Sequence, residues 1–416
     1  MRLASLRRNF AFTAVLAVAA SLFVAVPASA DNIRAREYWL ADYGIQTAWN
    51  TTRGAGVTIA IIDTGVDGSH PDLTGTVIGG TDVSGVGAAN GQTPVGTDSN
   101  HGTMVASLLV GHGHGPGGGD GIIGVAPAAK ILSVSVGFGV GAVDSDEQIA
   151  KAVRWSADHG ADIINMSLTR NTLDWPTSWD DAFLYAMKKG VIIVAAAGNR
   201  GSGTTEVGAP ATMPGVVVVA GVDQSGNASF DASSQGITLS VAAPSEGLVG
   251  AGPGGAYYSW AGTSGATPIV AGVLALIKAS HPGLSAGNII HRLTATATPK
   301  GSPLVYGSGL VNAAAAVSES VPSVSADPAG DLANWIRLNR RAVATGAPAP
   351  TSTATVTPTP TPVIASAPVS PFGRVLPSVG SLRDIGVPIL VYAVFATLLV
   401  LLLRSIFREF RGSRRR

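Results

Sequence analysis

Residues 57–73, "VTIAIIDTGVDGSHPDL", carry an apolar, β-branched run straight into an acidic, glycine-containing turn. A segment that is apolar throughout, as at 57–62, predicts a strand that is buried on both faces. Asp63 then stands at the carboxyl end of this strand. Because "DTG" is ordinary turn chemistry, Asp63 is by itself either the start of a loop or a functional carboxylate.

Further strands and helices follow the same logic along the chain. Five more apolar runs rich in β-branched residues predict strands at 131–136, 162–167, 191–196, 216–221 and 239–243. Helical patterns lie between several of them, notably at 146–160 and 177–190, and both end at a glycine, as helix C-termini often do. Apolar strands that alternate with helices predict an α/β fold whose mainly parallel sheet is covered on both faces. Active sites of such sheets form at the carboxyl ends of the strands.

A histidine opens a second notable segment, "NHGTMVASLLVG" at 100–111. His101 precedes an apolar helical run, and a histidine in such a position is most often polar surface. Gly102, directly behind it, permits a close backbone approach, which favours a tightly packed site instead. The nearby "GHGHG" at 111–115 has two histidines but no third ligand at a suitable spacing. We therefore expect a flexible loop there rather than a metal site.

Two more polar residues stand where a predicted strand ends or a predicted helix begins. Ser264 lies in "WAGTSGATPIVAG" at 260–272, where a glycine-flanked turn runs into an apolar helix. A serine at a helix start is a preferred N-cap, so Ser264 is either a cap or a nucleophile. Asn199 ends "AAAGN" at 195–199 and is either a turn residue or a neutral donor to a developing oxyanion.

The chain order of three of these residues distinguishes between the alternatives. Asp63, His101 and Ser264 appear as Asp…His…Ser, the order of the subtilisin triad and not that of chymotrypsin or the α/β-hydrolases. With these residues in place, the chain resembles the subtilases, the subtilisin-like serine proteases. The resemblance spans about residues 45–317 and rests on the stretches "AIIDTGVDGSHPDL", "NHGTMVASLL", "GVAPAAKILSVSV", "DIINMSL", "VAAAGN", "GTSGATPIVAGVLALI" and "GSGLVNAAAAV". It implies a three-layer, subtilisin-like α/β fold with a mainly parallel central sheet.

The resemblance also implies the roles of the catalytic residues. Ser264 would be the nucleophile, with His101 as the general base that activates it and Asp63 as the carboxylate that orients the imidazole. Asn199 would contribute to the oxyanion hole together with the Ser264 backbone N–H. No cofactor and no metal are expected for this chemistry.

The resemblance further implies that the substrate is a protein or peptide that binds in extended conformation. Residues 134–137 would form one backbone edge, opposite a second edge that runs through the residues just after the strand at 162–167. Backbone pairing would supply affinity, and pockets would supply selectivity. The implied substrate-binding residues are Ser167, Leu168 and Thr169 on that second edge, and Ala196, Ala197 and Gly198 in a wall of the first specificity pocket.

One residue departs from the family pattern. Members of the family usually carry a bulkier residue, often methionine, directly after the nucleophile, and here that residue is Gly265. The departure concerns contacts on the leaving-group side of the site and leaves the three catalytic residues in place.

Bulk composition narrows the function classes. Charged residues make up 13% of the chain and the net charge is +1, so nothing indicates binding to nucleic acid. The chain has no cysteine, which excludes disulfides, thiolate catalysis and cysteine-ligated zinc.

Both ends of the chain carry membrane signals. Residues 1–30 have an arginine-containing start, an apolar run and "ASA" at 28–30, which predicts a cleaved signal peptide, although an uncleaved anchor has the same pattern. The uncharged segment 385–403 would span roughly 28 Å as a helix, close to the thickness of a hydrocarbon core. The basic tail at 404–416 then stays in the cytoplasm. Between these segments we expect a peptidase domain with a short N-terminal extension at 31–320 and a Pro/Thr-rich linker at 321–384.

This arrangement leads to two functional hypotheses. A signal peptide, a subtilase domain, a Pro-rich linker and one C-terminal membrane helix together resemble the mycosins, the membrane-anchored subtilases associated with type VII secretion. The first hypothesis is an active endopeptidase at the outer face of the cell membrane, with a single-pass anchor. The second is a subtilase-fold scaffold or interaction subunit of a secretion complex, in which proteolysis is secondary or absent.

Overall fold

A parallel sheet of seven strands forms the centre of the domain in the computed structural model, which describes residues 33–203 and 205–340. The predicted signal peptide, the membrane span at 385–403 and the basic tail lie outside the described residues. The sheet has the order β2-β5-β1-β6-β7-β8-β9, and every neighbouring pair is parallel. Its strands are β1 (Thr58–Asp63), β2 (Val77–Asp82), β5 (Lys130–Ser135), β6 (Ile163–Met166), β7 (Ile192–Ala196), β8 (Val216–Val222) and β9 (Val241–Pro244).

The six predicted strands are confirmed, with ends that shift by one or two residues. Their interior residues are buried, as a sheet covered on both faces requires. The strand β2 was not predicted because "VIGGTD" contains two glycines and pairs only along one edge, with β5.

Helices cover both faces of this sheet and complete a three-layer α/β fold. The described residues contain ten α-helices: α1 (Trp39–Asp42), α2 (Ile45–Ala48), α3 (His101–Val110), α4 (Ser145–Asp158), α5 (Thr177–Lys188), α6 (Thr263–Ser280), α7 (Ala286–Ala295), α8 (Pro303–Tyr306), α9 (Ala313–Ser318) and α10 (Leu332–Asn339). One layer pairs α3 with α6, and the other pairs α4 with α5. The helices predicted at 146–160 and 177–190 are confirmed as α4 and α5, each followed by a left-handed glycine, Gly160 and Gly190.

The helix α6 lies at the centre of its layer and contacts β6, β7, β8 and β9. Among the described residues it alone is long and apolar enough to span a membrane, with a mean hydropathy of 1.3, but 78% of that window is buried. It is therefore a core helix. Gly272 allows this burial, because a Cβ there would lie 2.5 Å from Val125 Cβ on the neighbouring segment.

Two antiparallel hairpins pack beside the sheet. The first pairs β3 (His112–His114) with β4 (Asp120–Ile123), so the expected flexible loop at 111–115 is wrong. Both histidines are engaged there: His112 lies within hydrogen-bond distance of backbone carbonyls, and His114 binds Asp72. The second hairpin pairs β10 (Leu248–Gly252) with β11 (Ala256–Trp260) and leads into α6.

The domain continues past residue 320, where the sequence places the start of the linker. Trp335 of α10 packs against Trp175, with ring centroids 4.4 Å apart. Arg340 then binds the Asp180 carboxylate at 2.8 Å and the Trp175 carbonyl at 2.9 Å. Residues 321–340 were assigned to the linker because they are polar and Pro-containing, yet the end of this segment is fixed to α5 and the turn before it.

Candidate active site

A carboxylate and an imidazole meet at the carboxyl end of β1. Asp63 is the last residue of β1 and is 3% exposed, while His101 is the first residue of α3. The His101 Nδ1 lies 2.8 Å from Asp63 Oδ1 and 3.0 Å from Oδ2. The Thr64 backbone N–H also donates to Asp63 Oδ1, at 2.7 Å. This geometry fits an Nδ1–H that donates to the carboxylate, which leaves Nε2 as the proton acceptor.

The absence of a side chain at Gly102 lets the start of α3 come close enough to β1 for Asp63 and His101 to meet. A Cβ on Gly102 would lie 2.3 Å from the Gly65 carbonyl oxygen, so only glycine fits directly behind His101. The Gly102 N–H donates to Thr64 Oγ1 at 3.0 Å and ties the start of α3 to the end of β1. The close approach predicted at Gly102 is thus confirmed.

The charges around the imidazole raise its pKa. Burial alone lowers the pKa of His101, because it penalises the imidazolium. The charge of Asp63 and its hydrogen bond outweigh that effect, and the Asp98 carboxylate adds to it, so the pKa of His101 lies above its ordinary value. The ring is thereby set to accept a proton.

The Ser264 hydroxyl is not the cap of its helix. The N-cap of α6 is Gly262, at φ 142°, and Ser264 is the second residue inside the helix. Its Oγ–H donates to the Ser167 carbonyl at 3.0 Å, and the Ser167 Oγ–H donates back to the Ser264 carbonyl at 2.8 Å. The interpretation of Ser264 as an N-cap is therefore wrong, because its side chain accepts no hydrogen bond from the backbone N–H groups of the first turn.

Asn199 is fixed beside this serine by the residue in between. Its Oδ1 accepts hydrogen bonds from the Thr263 backbone N–H and from Thr263 Oγ1, both at 2.9 Å. The Gly198 N–H donates in turn to Thr263 Oγ1 at 3.2 Å. With its oxygen held by two donors, the Asn199 side chain keeps its orientation and its Nδ2 is left to donate elsewhere.

One open cleft of about 360 Å³ lies at this site. Asp63, His101 and Ser264 all line it, and so do Ser167, Leu168 and Thr169. The three last-named residues follow β6 outside regular secondary structure. The structure therefore brings three of the four predicted catalytic residues and the predicted binding edge to the same cleft, whereas Asn199 is not among the residues that line it.

Most of the backbone of the predicted opposing edge at 134–137 is already paired within the domain. Val134 and Ser135 pair on both sides within the sheet, with β1 and with β2, so neither offers a free backbone edge. Both polar groups of the Gly137 backbone are taken by the Gln148 side chain, at 2.8 and 3.1 Å. Phe138, 49% exposed, is the residue after β5 that lines the cleft.

The residues Ala196, Ala197 and Gly198 lie where β7 ends, next to Asn199. Ala197 is fully buried, and its N–H donates to the Val219 carbonyl at 3.1 Å. Gly198 has a φ of 102°, which favours glycine. Their part in a specificity pocket stays a prediction.

Trp260 belongs to the site and was missed by the sequence reasoning. Its ring meets the His101 ring edge-on, with centroids 5.7 Å apart and planes at 84°. A Cβ on Gly265 would lie 2.2 Å from Leu248 Cδ1 and 3.3 Å from Trp260 Cζ2, so these two side chains fill the space of a bulkier residue. The pairing of a glycine after the serine with a tryptophan four residues before it is the signal that could have revealed this.

No three His, Asp or Glu side chains in the described part of the chain are arranged to hold a metal ion. The side chains of Asp63, His101 and Ser264 supply the cleft with a carboxylate, an imidazole and a hydroxyl.

Comparison with known proteins identifies the family. The profile of the subtilase family matches residues 54–309. Subtilisin E from Bacillus subtilis (strain 168) is 38% identical over 266 residues, which cover 63% of this chain and 66% of subtilisin E. The match thus spans just under two thirds of that protein's length.

Solved structures agree with the profile. MycP1 from Mycobacterium smegmatis is 30% identical with a TM-score of 0.58, covering 68% of this chain and 85% of that one. The MycP3 protease from the type VII (ESX-3) secretion system is also 30% identical, with a TM-score of 0.57, covering 68% of this chain and 88% of that one. The expected likeness to subtilases and mycosins is confirmed.

Proposed function

The chain belongs to the subtilase family of serine peptidases, and from that premise we propose that it hydrolyses peptide bonds through Asp63, His101 and Ser264. The observation that carries the proposal is the bidentate contact of Asp63 with His101 Nδ1, on the same cleft that Ser264 lines. A carboxylate and an imidazole in this relation can activate a nearby hydroxyl.

In the proposed reaction the Ser264 oxygen attacks the carbonyl carbon of the substrate while His101 Nε2 takes the hydroxyl proton. The tetrahedral intermediate collapses as His101 passes that proton to the leaving amine nitrogen, which leaves an acyl-enzyme on Ser264. Water then repeats the sequence and releases the acid. Asp63 stabilises the imidazolium in both halves of the reaction.

The resting hydrogen bond of Ser264 sets a condition on this mechanism. The hydroxyl donates to the Ser167 carbonyl, so it must turn toward His101 before it reacts. An extended substrate that pairs with the edge at Ser167, Leu168 and Thr169 presents a backbone N–H to the same carbonyl. Substrate binding would therefore compete for that acceptor and favour the productive rotamer of Ser264.

The oxyanion would form between the Asn199 side-chain amide and the Ser264 backbone N–H. The latter is in the first turn of α6, where backbone donors lack intrahelical partners and the helix dipole favours negative charge. Because Thr263 fixes the Asn199 oxygen, the donor is oriented before the substrate arrives. Loss of one such donor typically costs roughly 10²–10³ in rate.

Labelling with a fluorophosphonate probe tests the proposal. We expect the full chain to take up the probe at one serine and Ser264→Ala to take up none, with hydrolysis of a casein substrate lost in parallel. A wild-type protein that neither labels nor cleaves while it is folded would support the second hypothesis, a subtilase-fold scaffold in which proteolysis is absent.

We propose further that the protein is anchored in the cell membrane by the segment 385–403, with the peptidase domain outside the cytoplasm. The supporting observations are the uncharged span and the basic tail in the sequence. The similar MycP3 protease comes from a type VII secretion system, which makes a secretion complex the candidate partner.

Single cysteines test this topology against a natural background without cysteine. We expect a membrane-impermeant maleimide to label Ser352→Cys in intact cells and to label Ser413→Cys only after permeabilisation. Labelling of both variants in intact cells would contradict the single-pass arrangement.

A further inference from the structure

The charge of the cleft is one-sided. Among the described residues, the ionisable side chains that line it are Asp63, Asp98 and His101, and no lysine or arginine does so. The Asp63 carboxylate already forms hydrogen bonds with the His101 ring and the Thr64 N–H. The Asp98 carboxylate is exposed and has no hydrogen bond or ion pair within the described part of the chain. The cleft therefore presents one uncompensated negative charge to whatever binds in it.

The position of that charge is fixed by the backbone. The Asp98 carbonyl accepts a hydrogen bond from the His101 N–H at 2.9 Å, so this turn cannot move without moving the start of α3. The Asp98 carboxylate is close enough to the imidazole to affect its pKa. Because Asp98 and His101 also line the same cleft, we expect a substrate side chain that reaches Asp98 to belong to a residue close to the bond that is cleaved.

An apolar surface completes the site. Phe138 follows β5 and is 49% exposed, although it is a large aromatic side chain that usually lies inside a protein. In the sheet β5 and β7 lie on opposite sides of β1, so Phe138 follows a strand on the side of Asp63 away from Asn199, and it lines the same cleft as Asp98. An exposed ring and a nearby carboxylate together match a side chain with a long apolar stem and a cationic head.

Resting on the proposed endopeptidase function, we infer that the cleft selects peptides that carry lysine or arginine at one fixed position beside the cleaved bond. Phe138 contacts the aliphatic stem, and the Asp98 carboxylate pairs with the ammonium or guanidinium group. An acidic residue at that position is repelled, and a neutral apolar residue gains the Phe138 contact without the ion pair. Partly exposed ion pairs of this kind change kcat/KM by about two- to fivefold.

Matched peptides test the inference with the full chain. A set with lysine scanned through each position is compared with sets that carry norleucine, glutamine or glutamate there, since norleucine keeps the stem and removes the charge. We expect one position to favour lysine over norleucine, with a preference that falls as NaCl is raised. Asp98→Asn should abolish the preference, and Asp98→Lys should invert it toward glutamate.

Two further variants separate the contributions. Phe138→Ala should lower kcat/KM for lysine and norleucine peptides alike and leave their ratio unchanged. Asp181→Asn removes the same charge from an exposed position on α5, outside the cleft, and should keep the wild-type ratio.

Fluorophosphonate labelling distinguishes the two ways to fail. A folded wild-type protein that does not label overturns the proposed function and this inference with it. Labelling and cleavage without a preference for lysine, or with a preference that survives in Asp98→Asn, overturns the inference alone and leaves the peptidase assignment standing.

Discussion

Two buried aspartates in this domain each hold a histidine, and only one of the two pairs lies on the cleft that Ser264 lines. Asp63 is 2.8 Å from His101 Nδ1, and Asp72 is 2.6 Å from His114 Nδ1. Both carboxylates are buried, at 3% and 0% exposure. The strand β11 even supplies an aromatic edge to each neighbourhood, Trp260 against His101 and Tyr257 against His70 beside Asp72.

The difference lies in what else each carboxylate binds. Asp72 also accepts hydrogen bonds from the Ile122 N–H and the Tyr257 hydroxyl, both at 2.8 Å, and so joins the two hairpins. Asp63 binds within its own turn, and its histidine opens into the cleft beside Ser264. We therefore propose that the groups around an Asp–His contact, and not the geometry of the contact itself, decide whether it is catalytic or structural.

The largest effect is expected at Asp63. Asp63→Asn keeps the side-chain volume but loses the acceptor that fixes the His101 tautomer, so kcat should fall on the order of 10⁴-fold. Steady-state peptide hydrolysis measures this, and circular dichroism should show an unchanged fold. Activity within tenfold of wild type would show that the two pairs differ less than we infer.

Asp72→Asn should lower the stability of the protein and leave the reactivity of the folded fraction unchanged. An amide in its place would direct an N–H group at the donors that surround it, which should lower the free energy of unfolding by about 3 kcal/mol. Urea denaturation measures the loss, and active-site titration should show that the folded fraction still labels at the wild-type rate. A loss of kcat larger than the loss of folded protein would erase the contrast with Asp63.

Glu37, which lies near Asp72, should make the free energy of unfolding depend on pH. Burial raises the pKa of Glu37 to about 8, against the lowering effects of the Ile123 N–H and of Arg34. A carboxyl whose pKa is raised on folding contributes its stability below the unfolded pKa and loses it as pH rises through the folded pKa. Stability should therefore fall by on the order of 2 kcal/mol between about pH 5 and pH 7.

Glu37→Gln provides the comparison for that measurement. The amide does not titrate, so its unfolding free energy should change less over the same range, as followed by urea denaturation at each pH. Equal slopes for the two proteins would contradict the raised pKa.

The smallest effect is expected in the pH dependence of kcat/KM, which we attribute to the proposed catalytic pair of Asp63 and His101. The charge of Asp63 outweighs burial and raises the pKa of His101, and His101 must be neutral to act as a base. The acid limb of kcat/KM should therefore lie above the ordinary histidine range. Asp98→Asn should move that limb to lower pH, whereas Asp181→Asn should leave it in place; a limb unaffected by Asp98→Asn would place its carboxylate too far from the imidazole to matter.

The sequence predicted the parts of this fold that depend on local patterns. The apolar runs predicted six strands, and the polar residues at strand ends and helix starts predicted three residues that line the cleft, Asp63, His101 and Ser264. Features that depend on long-range packing were missed. The hairpin strands are short, and three of the four contain glycine. The hydrogen bond from Ser264 to the Ser167 carbonyl joins residues far apart in the chain, and the contact of Trp260 with His101 requires β11 to fold back beside α3.

The edge-on contact of Trp260 with His101 gives the protein a built-in optical reporter. A protonated imidazole quenches a neighbouring indole, so Trp260 emission should dim as the base takes up a proton. Trp155 stacks on His159 with centroids 3.8 Å apart and would add a second titrating signal, which a Trp155→Phe background removes. The ionisation of a single side chain could then be followed by fluorescence without any added dye.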